Sequence, residues 1–392
     1  MEDKYILNIG AGEWQLPIIK ACNKLRYKLI SVDINPNAKG LEYSNIKLNM
    51  SAYDSRPIFD WLNSKKKIRE NIEAIITMGS RSCITTASEL SYKLNCKTNC
   101  LSPNKAETIV NRKLFREFLK NNGFNYPKYQ ILNESDLEID YPFVVKVTKD
   151  TSGSEGITLV RSENEFKSAI IRANKYVRES EIIVEEYIEG QDYGLFGLLN
   201  DKKLNLFQII TRSTSNYPYF LPKKYTTEKV DSKLELRLKD FYIKIIEQLN
   251  FESGPFYIEI KYSKTDNKIY PIECEPTIPA HIDYLISKSH KIDTSLQALN
   301  CVLKIENNQK FKKKYYSACE FVYSPKKGIL KDISFVEPIF NGGSLLKKYR
   351  ICQNIKNESA ADILAIVYAY SNSIKVFENI TTYADKIKIE IC

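Results

Sequence analysis

"YPFVVKVTKDTSGSEGITLV", residues 141–160, reads as an apolar strand, a loop of small residues and a second strand. Lys146 ends the first strand. An ammonium there needs an anionic partner or a route to the surface. In the loop, Ser152, Gly153, Ser154 and Gly156 let the backbone approach a phosphate closely. Successive N–H groups in such a loop can cradle it. A surface hairpin with a strand-end lysine has the same letters, so other segments must decide.

"GPFYIEIKYSKTDNKIYPIECEP" (254–276) is a hairpin with Asp266-Asn267 at its turn. Residues two apart on a strand share a face. Glu273 and Glu275 therefore point one way, and the hairpin brings Glu259 beside them. Three carboxylates repel one another unless a cation lies between them. Hard oxygen ligands that leave room for phosphates suit Mg2+, or Mn2+ in its place. The bland alternative is a solvated polar face, against which the apolar flanks "FYI" and "YPI" argue. "IIVEEYIEGQD" (182–192) ends a strand with Glu185 and Glu186. Tyr187 and Ile188 can flank a planar base there, and Asp192 can take ribose hydroxyls. An ordinary strand end is the competing reading.

The N-terminal "NIGAGEWQLPIIKACNKLRYKLISVDINPNA" (8–38) is strand, glycine turn, helix, and a strand ending on Asp33. "IEAIITMGS" (72–80) and "CITTASELSYKLN" (83–95) continue the alternation, which predicts a parallel sheet covered on both faces. Gly10, Gly12 and Asp33 fit a dinucleotide fingerprint, but Gln15 replaces its third glycine. Alone, this leaves a dehydrogenase open.

The 392 residues suggest two or three domains. No run of about 18 apolar residues marks a membrane span, and the start lacks the pattern of a signal peptide. Nine scattered cysteines read as reduced thiols, so a cytoplasmic protein is expected. With two histidines, a His/Cys zinc site is not expected. The net charge of +10, from 58 basic and 48 acidic residues, is spread along the chain and does not call for nucleic acid. A mild positive field also suits a nucleotide substrate.

Lysine with glycine loop, then strand-end acids, then acid hairpin: in this order the set resembles the ATP-grasp superfamily, carboxylate–amine ligase branch, alongside biotin carboxylase and carbamoyl phosphate synthetase. "NRKLFREFLKNNGFNYPKY" (111–129) is similar to that family's lysine–arginine helix. The resemblance implies a Rossmann-like domain (1–104), an ATP-grasp domain (105–307) with a mobile lid at about 127–190, and a small C-terminal lobe (308–392), mixing α/β and α+β architecture. It assigns Lys113 and Lys146 to phosphates, and Ser152, Gly153, Ser154 and Gly156 to the lid loop. Glu185, Tyr187 and Ile188 fall at the adenine hinge and Asp192 at the ribose. Glu259 and Glu273 match the metal carboxylates, with Glu275 where the family usually has Asn. Gly10 and Gly12 lie near the acceptor substrate.

One departure stands out. The family's arginine beyond the acid hairpin is replaced by Thr277 in "ECEPTIPAHID". Arg212, Lys223, Lys224 and His281 are candidates to supply the missing cation, with Arg212 and His281 taken as catalytic. The expected function is a Mg-ATP-dependent ligase that joins a carboxylate to an amine through an acyl phosphate. ATP and Mg2+ are the expected cofactors, and small carboxylates and amines the partners, with no nucleic acid and no membrane. Dimers are frequent among similar proteins, so a homodimer is an option. The alternatives are an ATP-grasp carboxylase or phosphotransferase, and a non-catalytic nucleotide-binding module.

Overall fold

A computed structural model describes residues 3–132, 137–149, 154–177, 180–215, 218–306, 311–335, 343–349 and 352–392. Its first sheet is parallel, in the order Ile46–Leu48, Lys28–Val32, Tyr5–Ile9, Ile72–Ile76, Lys97–Thr98. The strand order reverses between Tyr5–Ile9 and Ile72–Ile76, and sheets of this kind take ligands beyond the ends of such strands. Gly10 (φ 91) and Gly79 (φ 63) turn the chain at those two ends, in a region that disfavours side chains. Asp33 is occupied with the turn itself. Its carboxylate accepts the N–H of Ala11 at 2.9 Å and that of Asn35 at 2.9 Å. The fingerprint acid thus fastens the glycine turn, and the loop around Gly40 closes over it through the Gly40 N–H to the Ala11 carbonyl at 2.8 Å.

The helix Arg112–Asn121 starts on Asn111, whose side chain accepts the N–H groups of Lys113 and Leu114. Arg112, Phe115, Arg116 and Leu119 form its buried face, at helical spacing. The lid sheet follows, in the order Tyr129–Ile131, Ile182–Glu186, Phe143–Val147, Thr158–Val160. With the helix Glu163–Asn174 it encloses a small core of its own, including Phe143, Val145, Val160, Ala169, Ala173 and Val184.

The floor is an eight-stranded antiparallel sheet. It runs Lys268–Glu275, Gly254–Ser263, Gln191–Asn200, Lys203–Thr214, Pro222–Thr226, Tyr316–Val322, Ala365–Ser371, Ser344–Lys347. It continues across the boundary expected near residue 307. A helix, Ser232–Leu249, covers one face, capped by Asp231 and ended by Asn250 in the left-handed region (φ 53). Register aligns Lys261, Asp192, Arg212, Tyr225, Cys319 and Tyr368 in one row across successive strands of this sheet. Gly194 stands opposite Glu259, and a Cβ there would fall 2.2 Å from the Tyr257 hydroxyl. Its bareness makes room for that ring. No helix among the described residues is long and apolar enough to cross a membrane.

Candidate active site

A cavity of about 640 Å³ lies between lid and floor, with the N-terminal sheet and the C-terminal segment at its sides. Val144, Lys146, Ser154, Ile157, Glu185 and Tyr187 come from the lid and its hinge. Asp192, Arg212, Tyr257, Glu259, Lys261, Glu273 and Glu275 come from the floor. Gly79, Arg81 and Trp14 come from the switch point of the first sheet, and Lys348 from the C-terminal segment. One latch across the gap is the Arg172 guanidinium, which donates to the Glu358 carbonyl at 2.6 Å.

Lys146 meets the expected anionic partner. Its Nζ lies 2.5 Å from the Glu185 carboxylate, and Arg116 sits on the other oxygen at 2.9 Å. All three side chains are buried. Burial alone would raise the Glu185 pKa, but Arg116 and Lys146 more than offset it and hold the carboxyl at about 2. Both Glu185 oxygens are therefore engaged inside the protein. The acid expected at the adenine hinge lines the cavity and holds Lys146 there. Tyr187, Ile188 and Asp192 do line the cavity, and Val144, Ile157, Ile188 and Ile272 give it an apolar slot. Asp192 pairs with Lys261 at 2.9 Å.

Lys113 does not line the cavity. It points off the buried face of its helix and pairs with Glu181 at 3.6 Å. Its neighbour Arg112 lies on that face, donates to the Val147 carbonyl at 2.6 Å, and reaches within 4.0 Å of Glu273. Helical phase accounts for the difference: Arg112 and Arg116 share the stripe of Phe115 and Leu119, while Lys113 does not. Arg81, also missed, donates to the Cys274 and Ile109 carbonyls and lies 4.0 Å from Glu273. Its sequence signal was the glycine turn at a strand end, "TMGSRSC".

Glu259 and Glu273 are direct cross-strand partners, and Glu275 lies opposite Tyr257. Burial and the neighbouring acid push Glu259 up to about 7, against the pull of Arg212. Glu273 goes the other way: burial raises its pKa, but Arg81, Arg112 and Arg212 outweigh it. Burial also lifts Glu275 to about 7. A protonated carboxyl offers one donor and one acceptor, much as an amide does, which eases the extra charge at an Asn position. Among the described residues, no three His, Cys, Asp or Glu side chains converge to hold one metal ion. The expected trio of carboxylates is thus not closed. The Arg212 guanidinium sits against Glu259 and also donates to the Tyr225 hydroxyl at 3.1 Å.

Thr277 is fully buried. Of the cations proposed to replace the missing arginine, Arg212 is in the cavity. Lys224 is turned away, bonded to the Phe377 carbonyl and to Thr381, and Lys223 is exposed outside it. His281 lines the cavity but is no cation. Burial, with Lys348 nearby, lowers its pKa to about 3. It bonds Tyr368 at 3.1 Å and packs between Trp14 and Phe321. Of the lid loop, Ser152 and Gly153 lie outside the described residues. Ser154 (φ 68) lines the cavity and donates to the Phe220 carbonyl at 3.1 Å, whereas Gly156 (φ 66) packs behind it. Gly10 and Gly12 do not touch the cavity, but the turn they build presents Trp14 to it.

Residues 139–283 match the family described as an ATP-grasp domain. Over 113 residues the chain is 34% identical to a D-alanine–D-alanine ligase of Geotalea uraniireducens, a match covering 29% of this chain and 34% of that enzyme. The match therefore spans about one third of that relative's length. Among solved structures, an L-amino acid ligase from Bacillus licheniformis superposes with a TM-score of 0.83 at 16% identity, over 100% of both chains. The N5-carboxyaminoimidazole ribonucleotide synthetase of Thermotoga maritima gives 0.76 at 15% identity, over 99% of this chain and 100% of that one. Residues 139–283 thus match an ATP-grasp domain, and the chain as a whole shares its fold with these two solved enzymes.

Proposed function

We propose that this protein is a Mg-ATP-dependent ligase that joins a carboxylate to an amine. The observation that carries the reading is one cavity lined by Lys146, Arg112, Arg81 and Arg212 together with the facing pair Glu259 and Glu273, with Arg81 and Arg112 each 4.0 Å from Glu273 and Arg212 against Glu259. Such a set suits a polyphosphate and its counter-ion and has no use in hydride transfer. In this reading the adenine lies in the slot of Val144, Ile157, Ile188 and Ile272, beside Tyr187, with its ribose at Asp192. Glu259 and Glu273 fit Mg2+, because two facing carboxylates, one of them pushed up by burial and by its neighbour's charge, gain from a cation between them. When bound, Mg2+ would neutralise phosphate charge.

The chain's own groups do the rest. Lys146, held by Glu185, and the arginines stabilise charge as it moves onto the transferring phosphoryl group. The substrate carboxylate attacks the γ-phosphorus and ADP leaves. The amine then attacks the acyl carbon, phosphate leaves and the amine gives up a proton. The docked lid excludes water so that the acyl phosphate meets the amine first. Arg212, in the cavity beside Glu259, takes the work of the missing arginine.

The test is ADP release from Mg-ATP with pooled amino acids and small carboxylates, with hydroxylamine present. ADP with a hydroxamate is expected, and Lys146→Ala should cut it by about 100-fold or more. ADP without hydroxamate from any pool would favour a phosphotransferase. Silence from every pool, with nucleotide bound, would favour a binding module.

A further inference from the structure

Lys348 lines the same cavity, far along the chain from the phosphate-binding groups. It is reached from Glu259 through a wall of contacts. Arg212 bonds Tyr225, whose ring lies 5.0 Å from Phe321. Phe321 lies 4.6 Å from His281, and His281 lies 4.9 Å from Trp14. The Lys348 Nζ stands 3.9 Å above the Trp14 ring centre. Its backbone is pinned by an N–H bond to the Leu364 carbonyl at 2.9 Å.

The ammonium is half-buried, and that loss of water pulls its pKa down. Glu13, next to Trp14, is paired with Lys39 at 2.8 Å. No carboxylate among the described residues reaches salt-bridge distance of the Lys348 Nζ. Glu13 acts on it only at longer range, and a partly desolvated cation on an aromatic face, in no salt bridge and facing a cavity, is suited to an anion from outside. His281 cannot compete for it, being held neutral.

We propose that Lys348 determines the specificity of the amine-side subsite by binding an anionic group of the amine substrate, whose carbon frame lies on Trp14 and the His281 ring. This rests on the ligase reading for the word amine, since the activated carboxylate must lie at Glu259 and Glu273. The anionic group is a carboxylate or a phosphate, either of which an ammonium takes.

Calorimetric titration of the full chain, with Mg2+ and a non-hydrolysable ATP analogue, tests it. One panel is the common amino acids against their carboxamides. The other is aminoalkyl phosphates against the corresponding amino alcohols. At least one anionic member should bind about tenfold or more tighter than its neutral counterpart. The panel that responds names the source of the charge. Lys348→Gln should erase the difference and Lys348→Arg should restore most of it, with Lys348→Met standing in if the first variant misfolds. Equal binding of neutral counterparts, binding of no anionic member, or discrimination that survives in Lys348→Gln overturns the proposal. Discrimination without any hydroxamate in the turnover assay would sink the ligase reading and leave this subsite standing.

Discussion

Glu185 is fixed by two buried cations, and each depends on it. Removing it in Glu185→Ala leaves Arg116 and Lys146 buried without their counter-charge, at a cost of about 3–5 kcal/mol. Urea unfolding should show that loss, and ATP turnover should fall with it because Lys146 is no longer aimed. The neighbouring pair Arg112 and Lys113 separates phase from chemistry. Lys113→Ala should change the KM for ATP by less than about fivefold, as expected for an exposed ion pair. Arg112→Ala should cost far more, and steady-state kinetics on both variants decides between them. His281 offers a test by pH. Its pKa falls from 6.5 in the unfolded chain to about 3 when folded, through burial. Only the unfolded chain binds that proton between these values, so the contribution is complete above 6.5 and drains away below it. Relative to His281→Gln, the native chain should lose up to about 1.4 kcal/mol per pH unit over that window. A parallel pair of stability curves would refute it.

At the scale of elements, the strand ending on Lys146 and the acid hairpin were legible because their patterns are local: period two, a turn pair, small residues in a loop. The register was not. That Glu259 faces Glu273, while Glu275 faces Tyr257, depends on where the hairpin's irregularity falls, between Glu259 and Ile260. Arg81, Trp14 and Lys348 were also hidden, since each enters the cavity from an element far away in sequence; the first two follow glycine turns that mark a place but not a role. Arg112 was readable in principle from helix phase alone. The lid turn invites a further test. Gly156 has φ 66, and an added Cβ would lie 3.0 Å from Val147 Cγ2 and 3.3 Å from Tyr176 Cδ2. Gly156→Ala should loosen the lid by about 1–2 kcal/mol. Amide exchange should rise across Phe143–Val147 and Thr158–Val160 more than in the first sheet. Uniform exchange would place the strain elsewhere.

At the scale of the molecule, the lid carries its own small core, whereas the floor is one sheet from Lys268–Glu275 to Ser344–Lys347. If the lid moves, it must break its latch, Arg172 on Glu358. The floor holds Asp192, Arg212 and Glu259 within one continuous sheet. There is also a consequence for engineering. Because Pro222–Thr226 pairs directly with Tyr316–Val322, a fusion joint cut between them exposes a bare edge on each half, inviting strand exchange and clumping. Grafting a relative's C-terminal portion onto this chain to change its substrate would fail at that seam. The Lys348 side chain and the turn bearing Trp14 can be exchanged with every strand pairing left whole, and they are where a redesigned pocket should begin.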